Sequence, residues 1–486
     1  RALLDAEQEL RRHQSDRAAA LSTLLGEEDR QRRDMSSDAF KARAAWERRD
    51  AVAALKKLRE QIKAGQAEVA AARAALSAQR ERVTAAYPAY ADLVTPATPK
   101  PAALRALLGQ GEGLLVVHAQ AKATLVWLIV PGQTQLAMHA SPLGAQALSA
   151  RVSSLRRMLD LSQPGAPALQ TAELLALYRE LIAPLAPDFK NLRSLIVASD
   201  GALAALPLAA LVTEPGQPNQ PIAWLARRLA VTQLPAAAAL QALRRGERVT
   251  VAAKPLIGFG DPAFKSRAAK QGQVLNASAT RYDAAWGFAY ADIPPLPDTR
   301  IELQTLAREL GADAPTDLYL GAAATREAVL NAPLGDRRVV AFATHGLMPG
   351  ELPGVSKPAL AMAATGREGE SPLLELDDVL GLRLNAQWVL LSACNTAAGE
   401  QGGAAMSGLV RGFFFAGTRS VLATHWAVDS ASAGALSVAA LKPSASGRAE
   451  SLRQAQLAML DGRVGAGKWT HPYYWAGYAL FGDPLR

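Results

Sequence analysis

Val339-Val340-Ala341-Phe342-Ala343-Thr344 runs straight into His345-Gly346, and Trp388-Val389-Leu390-Leu391-Ser392-Ala393 runs into Cys394-Asn395-Thr396. Both runs are short, apolar and free of any alternation between polar and apolar positions. A strand buried on both faces of a parallel sheet needs that pattern. Similar runs recur at 195–199, 229–233, 256–259, 318–320 and 420–424, with helical stretches between most of them. Strands joined through helices predict an α/β fold: a mostly parallel sheet flanked by helices, with its working edge at the strands' C-terminal ends.

Working outward, 114–118, 123–130 and 135–139, the last two separated by Pro131-Gly132, predict a small antiparallel meander. Helices are expected at about 143–160 and 170–183. Upstream of a Pro-marked linker at 90–100, the composition changes. Residues 1–90 hold 18 Lys/Arg and 14 Asp/Glu, with Gly26, Gly65 and Pro88 as breakers. Ala, Arg, Glu, Gln and Leu dominate this stretch, which predicts an all-α coiled-coil hairpin with helices over roughly 2–30 and 37–87. Met35-Ser36-Ser37-Asp38 supplies N-cap candidates for the second helix, and Leu55, Ile62, Val69, Leu76 and Val83 repeat every seventh position along it. The resulting division is a helical arm, 1–90, and a second domain, 95–486, whose α/β core is 192–486. The arm packs on itself or on the next domain, or serves as a docking and oligomerisation surface.

The chain has 486 residues, half of them hydrophobic, and a net charge of +9. It is large enough for more than one core. A single cysteine excludes a disulfide framework and a thiolate-rich zinc cluster, and predicts a reducing, cytoplasmic setting. No run of eighteen apolar residues is present, so no membrane span is expected. Basic residues form neither blocks nor an alternation with stacking aromatics, which speaks against direct nucleic-acid binding. Because the chain begins with Arg1, it reads as a piece of a longer product.

His345 and Cys394 each follow a buried strand, and adjacent parallel strands would bring them together. Thiol-dependent acyl transfer needs such a pair: the thiolate attacks a carbonyl and the imidazole protonates the departing amine. Gly346, lacking a side chain, can bring its N–H close to a developing oxyanion, with the amide of Cys394 as second donor. Taken singly, a lone cysteine is a small buried hydrophobe and a lone histidine is a hydrogen-bonded one. The joint placement favours chemistry. No HExxH-type or other ligand spacing is present, so no catalytic metal is expected. Gly399-Glu400-Gln401-Gly402-Gly403 lacks the Lys-Ser/Thr of a phosphate loop, and the Pro- and Gly-rich stretches 265–295 and 347–372 read as loops.

Ala343-Thr344-His345-Gly346 and Leu391-Ser392-Ala393-Cys394-Asn395-Thr396 resemble the two defining blocks of the CHAT family, caspase-like cysteine peptidases of bacteria. Similar to that family as well are Val197-Ala198-Ser199-Asp200-Gly201-Ala202-Leu203, Leu296-Pro297-Asp298-Thr299-Arg300-Ile301-Glu302, the glycine-bounded Gly408 to Gly417 segment, and Phe481-Gly482-Asp483-Pro484. The resemblance spans about 88–486 and omits the arm. It implies a caspase-like fold with His345 as general acid/base and Cys394 as nucleophile, cleaving a protein substrate without a metal or organic cofactor. It also implies control by a partner or by the accessory region, with antiphage defence among the family's settings. For the residue before the cut, Trp426 walling an aliphatic stem and Asp429 pairing with a Lys or Arg head would give basic specificity. Equally open is Trp426 in the core and Asp429 capping the helix that follows. The competing reading of the whole chain is a catalytically silent signalling scaffold that assembles partners through the coiled arm.

Overall fold

The computed structural model describes residues 42–86, 99–161, 165–199, 201–217, 220–245, 252–265, 290–347, 355, 358–367, 370–392, 402–426, 428–442 and 447–485, with single positions between 6 and 40. Two compact units result, Arg1–Ala91 and Asp92–Arg486. Among the described residues no helix is long and apolar enough to cross a membrane.

In the first unit, helix α1 runs over Ala45–Ala86. Leu55, Leu58, Ile62, Val69 and Leu76 form its buried stripe. The break between helices falls later than the sequence suggests: Asp34, Met35 and Phe40 are helical, and the chain turns at 42–44. Glu47 fixes the start of α1, because its carboxylate accepts the Ala44 N–H at 3.0 Å, while Arg43 lies 5.1 Å over the Phe40 ring.

An eleven-stranded sheet dominates the second unit. Its strands are β1 Glu112–Ala119, β2 Thr124–Ile129, β3 Ala137–Ser141, β4 Ser194–Ser199, β5 Ala230–Leu234, β6 Lys254–Gly260, β7 Leu318–Leu320, β8 Arg337–Ala343, β12 Trp388–Ser392, β13 Ser420–Thr424 and β14 Tyr478–Gly482. They lie in the order β3-β2-β1-β4-β5-β14-β13-β12-β8-β6-β7. The first three form the expected antiparallel meander, and β1, β4 and β5 run parallel. Strands β13, β12, β8, β6 and β7 are parallel too, and β14 closes against β13 antiparallel. A separate small sheet is built from β9 Gly346–Leu347, β10 Ala359–Ala361 and β11 Leu373–Glu375; β10 lies within the stretch 347–372 read as loop and the other two at its borders. Strands of two or three residues between glycines and prolines leave no period to detect.

Alternation along the central strands feeds two cores. Val339, Ala341 and Ala343 of β8 join Trp388 and Leu390 of β12 on one face, under helices α2 Ala145–Leu159, α3 Thr171–Leu181, α4 Pro297–Leu310, α6 Ser430–Leu441 and α7 Arg448–Leu460. On the other face Val340 and Phe342 meet Val389 and Leu391, covered by Leu409, Val410 and Phe413 of α5 Gly402–Phe415. The α/β class expected from the apolar runs is therefore the one found.

Candidate active site

Three neighbouring strands end level. Gly260 of β6 lies opposite Ala343 of β8, which in turn lies opposite Ser392 of β12. Just past these ends the backbone is fastened. Asp261 adopts a left-handed φ of 47° and donates its N–H to Thr299 Oγ1 at 2.9 Å, while its carboxylate takes Arg300 at 2.7 Å. Thr344 gives its hydroxyl to the Ala361 carbonyl, and the His345 carbonyl accepts the Ala361 N–H at 2.9 Å. His345 is thus stitched to β10 from both sides.

The His345 imidazole sits beside Phe264, ring centroids 5.6 Å apart, at a small cluster made by Phe264, Ile293, Leu347, Val355 and Ala361 with Tyr290 against it. Its Nε2 lies 2.8 Å from the carbonyl of Pro294. A carbonyl can only accept, so the neutral ring carries its proton on Nε2 and keeps the lone pair on Nδ1. Burial holds the imidazole pKa below its ordinary value, with the Pro294 carbonyl pulling the other way. At neutral pH the ring is accordingly a free base. Tyr290 fixes this neighbourhood by donating its hydroxyl to the Met362 carbonyl at 2.6 Å, and burial pushes its phenol pKa up.

Gly346 pairs with Leu360 across the β9–β10 ladder. Since His345 and Ala361 form the hydrogen-bonded pair next to it, Gly346 occupies a non-hydrogen-bonded position and its N–H points away from β10. That donor is not spent on the ladder. Cys394 lies outside the described residues, two positions beyond Ser392.

Beneath the end of β12 lies a buried carboxyl that sequence reading quoted without giving it a role. Glu302 of α4 accepts the Ser392 hydroxyl on Oε2 and the Ser437 hydroxyl on Oε1, each at 2.9 Å, and Tyr478 Oη stands 2.9 Å from Ser392 Oγ. Burial lifts the Glu302 pKa to about 7 against the pull of the two hydroxyls. A signal existed: Glu302 lies three residues after Thr299 and four before Leu306, on the helix stripe that faces the core. The Pro294 carbonyl left no trace in the sequence, because backbone direction after a loop is not encoded by residue type.

Trp426 and Asp429 are not brought to this site as a pocket. Trp426 is 0% exposed and donates its indole N–H to the Tyr473 carbonyl at 3.0 Å. Asp429 caps α6, with Oδ1 accepting the Ser432 N–H at 2.9 Å. The other histidine at a strand end, His425, is buried, and its pKa is driven to about 3 by burial and then by Arg156. It stays neutral and offers no surface to a substrate.

The mostly parallel sheet thus delivers a histidine at one strand end beside the strand that leads to the single thiol. The chain belongs to the CHAT domain family, which matches residues 171–483, more than half its length. That match begins well after residue 88 and leaves the meander and α2 outside it. No curated protein matches the chain. Among solved structures, two crystal structures of the Saccharomyces cerevisiae separase–securin complex are similar at 9% identity, with TM-scores of 0.44 and 0.45, over 82% of this chain. This chain spans 31% of the separase-complex chain it matches. A complex of the pro- and mature domains of RgpB from Porphyromonas gingivalis is similar at 12% identity and a TM-score of 0.33, over 70% of this chain and 77% of that one.

Proposed function

We propose that this chain is a cysteine endopeptidase working through a His345/Cys394 dyad on a protein substrate. The observation that supports the reading most is the register of Ala343 with Ser392, because each candidate residue follows its strand end by two positions. Two residues of chain span at most about 7 Å, a reach short enough for a thiol and an imidazole on adjacent strands to meet. Nδ1 of His345 takes the thiol proton; the Cys394 thiolate attacks the scissile carbonyl carbon, and negative charge develops on its oxygen. The Gly346 N–H is one donor for that oxyanion and the Cys394 N–H the other. Collapse breaks the C–N bond as the imidazolium protonates the leaving amine. Water, deprotonated by the same imidazole, then hydrolyses the thioester. No metal or organic cofactor enters this scheme. The N-terminal helical unit is the proposed seat of control, through a protein partner.

A denatured cell lysate treated with the chain or with Cys394→Ala, followed by mass spectrometry of new peptide termini, tests the reading. Termini that appear only with the intact cysteine are the expected result and report the preferred residue before the cut. Identical termini in both samples would overturn it and favour a scaffold.

A further inference from the structure

We propose that Glu302 is a proton-holding positioning residue for the strand end that leads to Cys394, and that its charge state tunes the thiol. The inference rests on the peptidase reading for its catalytic meaning and on the geometry around Ser392 for its substance.

Glu302 is 5% exposed, and its hydrogen-bond partners are hydroxyls. Among the described residues no guanidinium or ammonium meets it. On its own helix Asp298 and Arg308 are exposed, Arg300 is taken by Asp261 and Glu309 by Lys442. Helix α6 presents Ser437 and the backbone of Gly434, while β12 presents Ser392, with Tyr478 of β14 behind it. The charged residues of β6 and β8, Lys254, Arg337 and Arg338, belong to the opposite ends of those strands, where Lys254 meets Asp336 and Arg337 meets Asp317. The short helix before β7 contributes that same Asp317. An uncompensated carboxylate in such a place holds its proton, which agrees with a pKa lifted to about 7.

Both protonation states can be fully bonded. Ionised, Glu302 accepts from Ser392 and Ser437 together. When protonated on Oε1 it donates to Ser437 Oγ, whose own hydrogen turns to the Ala433 carbonyl at 2.9 Å, and Oε2 goes on accepting from Ser392. The strand end therefore keeps its geometry while the charge beneath it changes. A buried negative charge about 10 Å from any thiol, at an effective dielectric constant of about 20, opposes its ionisation by roughly tenfold. Ionised Glu302 thus restrains the thiol, and neutral Glu302 releases it.

Cys394 is the only cysteine, so alkylation by iodoacetamide reports on it alone. Rates for the full chain, followed by mass spectrometry from about pH 5.5 to about pH 9, should show an inflection near neutrality besides that of the thiol. Glu302→Gln, whose amide satisfies both serines, should remove that inflection. Its rate should match wild type below about pH 6 and exceed it by up to about tenfold between neutrality and the thiol's own ionisation, above which the two profiles converge. Ser437→Ala withdraws a hydroxyl that stabilises the carboxylate and should move the inflection to higher pH. Superimposable wild-type and Glu302→Gln profiles, or an inflection unmoved by Ser437→Ala should the glutamine variant not fold, would overturn the proposal. Peptide cleavage with superimposable profiles removes the role of Glu302 alone. Absent cleavage with the Glu302-dependent inflection present removes the peptidase reading alone.

Discussion

At the starts of the strands, carboxylates are met by guanidinium groups. Arg244 donates to Glu112, the first residue of β1, at 2.7 Å and to Asp483, just past β14, at 2.8 Å. Gly482 at the end of β14 lies opposite Ser420 at the start of β13, so this is the starting edge of that strand as well. Arg337, the first residue of β8, is buried against Asp317 and the Leu256 carbonyl. The finishing edge is built differently. There His345 faces a carbonyl, Glu302 faces hydroxyls, and both are shifted by burial toward the neutral form. Buried ion pairs lock strand position at one edge, whereas at the other, beyond the more exposed Asp261–Arg300 pair, His345 and Glu302 have only neutral hydrogen-bond partners. With the proposed peptidase function, stability and chemistry would fall at opposite ends of the same strands.

The largest effects should separate those ends. His345→Ala removes the proposed acid/base and should lower peptide cleavage by about 100-fold or more, with little change in the urea unfolding midpoint. Arg244→Met should do the reverse. Removing one partner of a buried pair leaves Glu112 and Asp483 uncompensated and costs about 3–5 kcal/mol, read by urea unfolding, while turnover per folded molecule stays at the wild-type value. A loss of turnover per folded molecule in Arg244→Met would end the claim that the edges are independent.

Next in size is a pH effect with a definite sign. The native state keeps the Glu302 proton up to about pH 7, whereas an unfolded glutamate loses it near its ordinary value of 4.5. Between those values the folded state binds more protons, so this group's stability contribution is present at acid pH and is lost as pH rises. Across the full window the change is about 3 kcal/mol. Glu302→Gln lacks that titration, and its stability relative to wild type should rise by about that amount from pH 4.5 to pH 8. A difference that stays constant with pH would mean that Glu302 is already ionised when folded.

This division of labour was half visible in the sequence. Continuous apolar runs located the central strands to within a few residues, because burial on both faces leaves composition as a strong signal. His345 stood out as the residue that follows such a run. Pairing across the sheet did not: Arg244 meets Asp483 from 239 positions away, and only the topology makes them neighbours. Pro294 and His345 are 51 positions apart and joined through a backbone carbonyl, which no residue type announces. Glu302 was legible as a charge on an apolar helix stripe, but its hydroxyl partners came from β12 and α6. The small sheet β9–β11 was hidden for a local reason, its strands being too short to show a period.

The smallest effect bears on specificity and sharpens the comparison at the finishing edge itself. Asp429 stands just beyond β13 and spends one carboxylate oxygen on the first turn of α6. Asparagine caps helices as well as aspartate does, whereas alanine costs about 1 kcal/mol. Asp429→Asn should therefore preserve stability, and Asp429→Ala should lower it by about that amount. If the carboxylate serves only as a cap, Asp429→Asn cleaves fluorogenic peptides ending in Lys, Arg and Leu in the same ratio as wild type. A selective loss on Lys and Arg peptides in Asp429→Asn, at unchanged stability, would instead assign its negative charge to the substrate, since the cap survives that substitution and the charge does not.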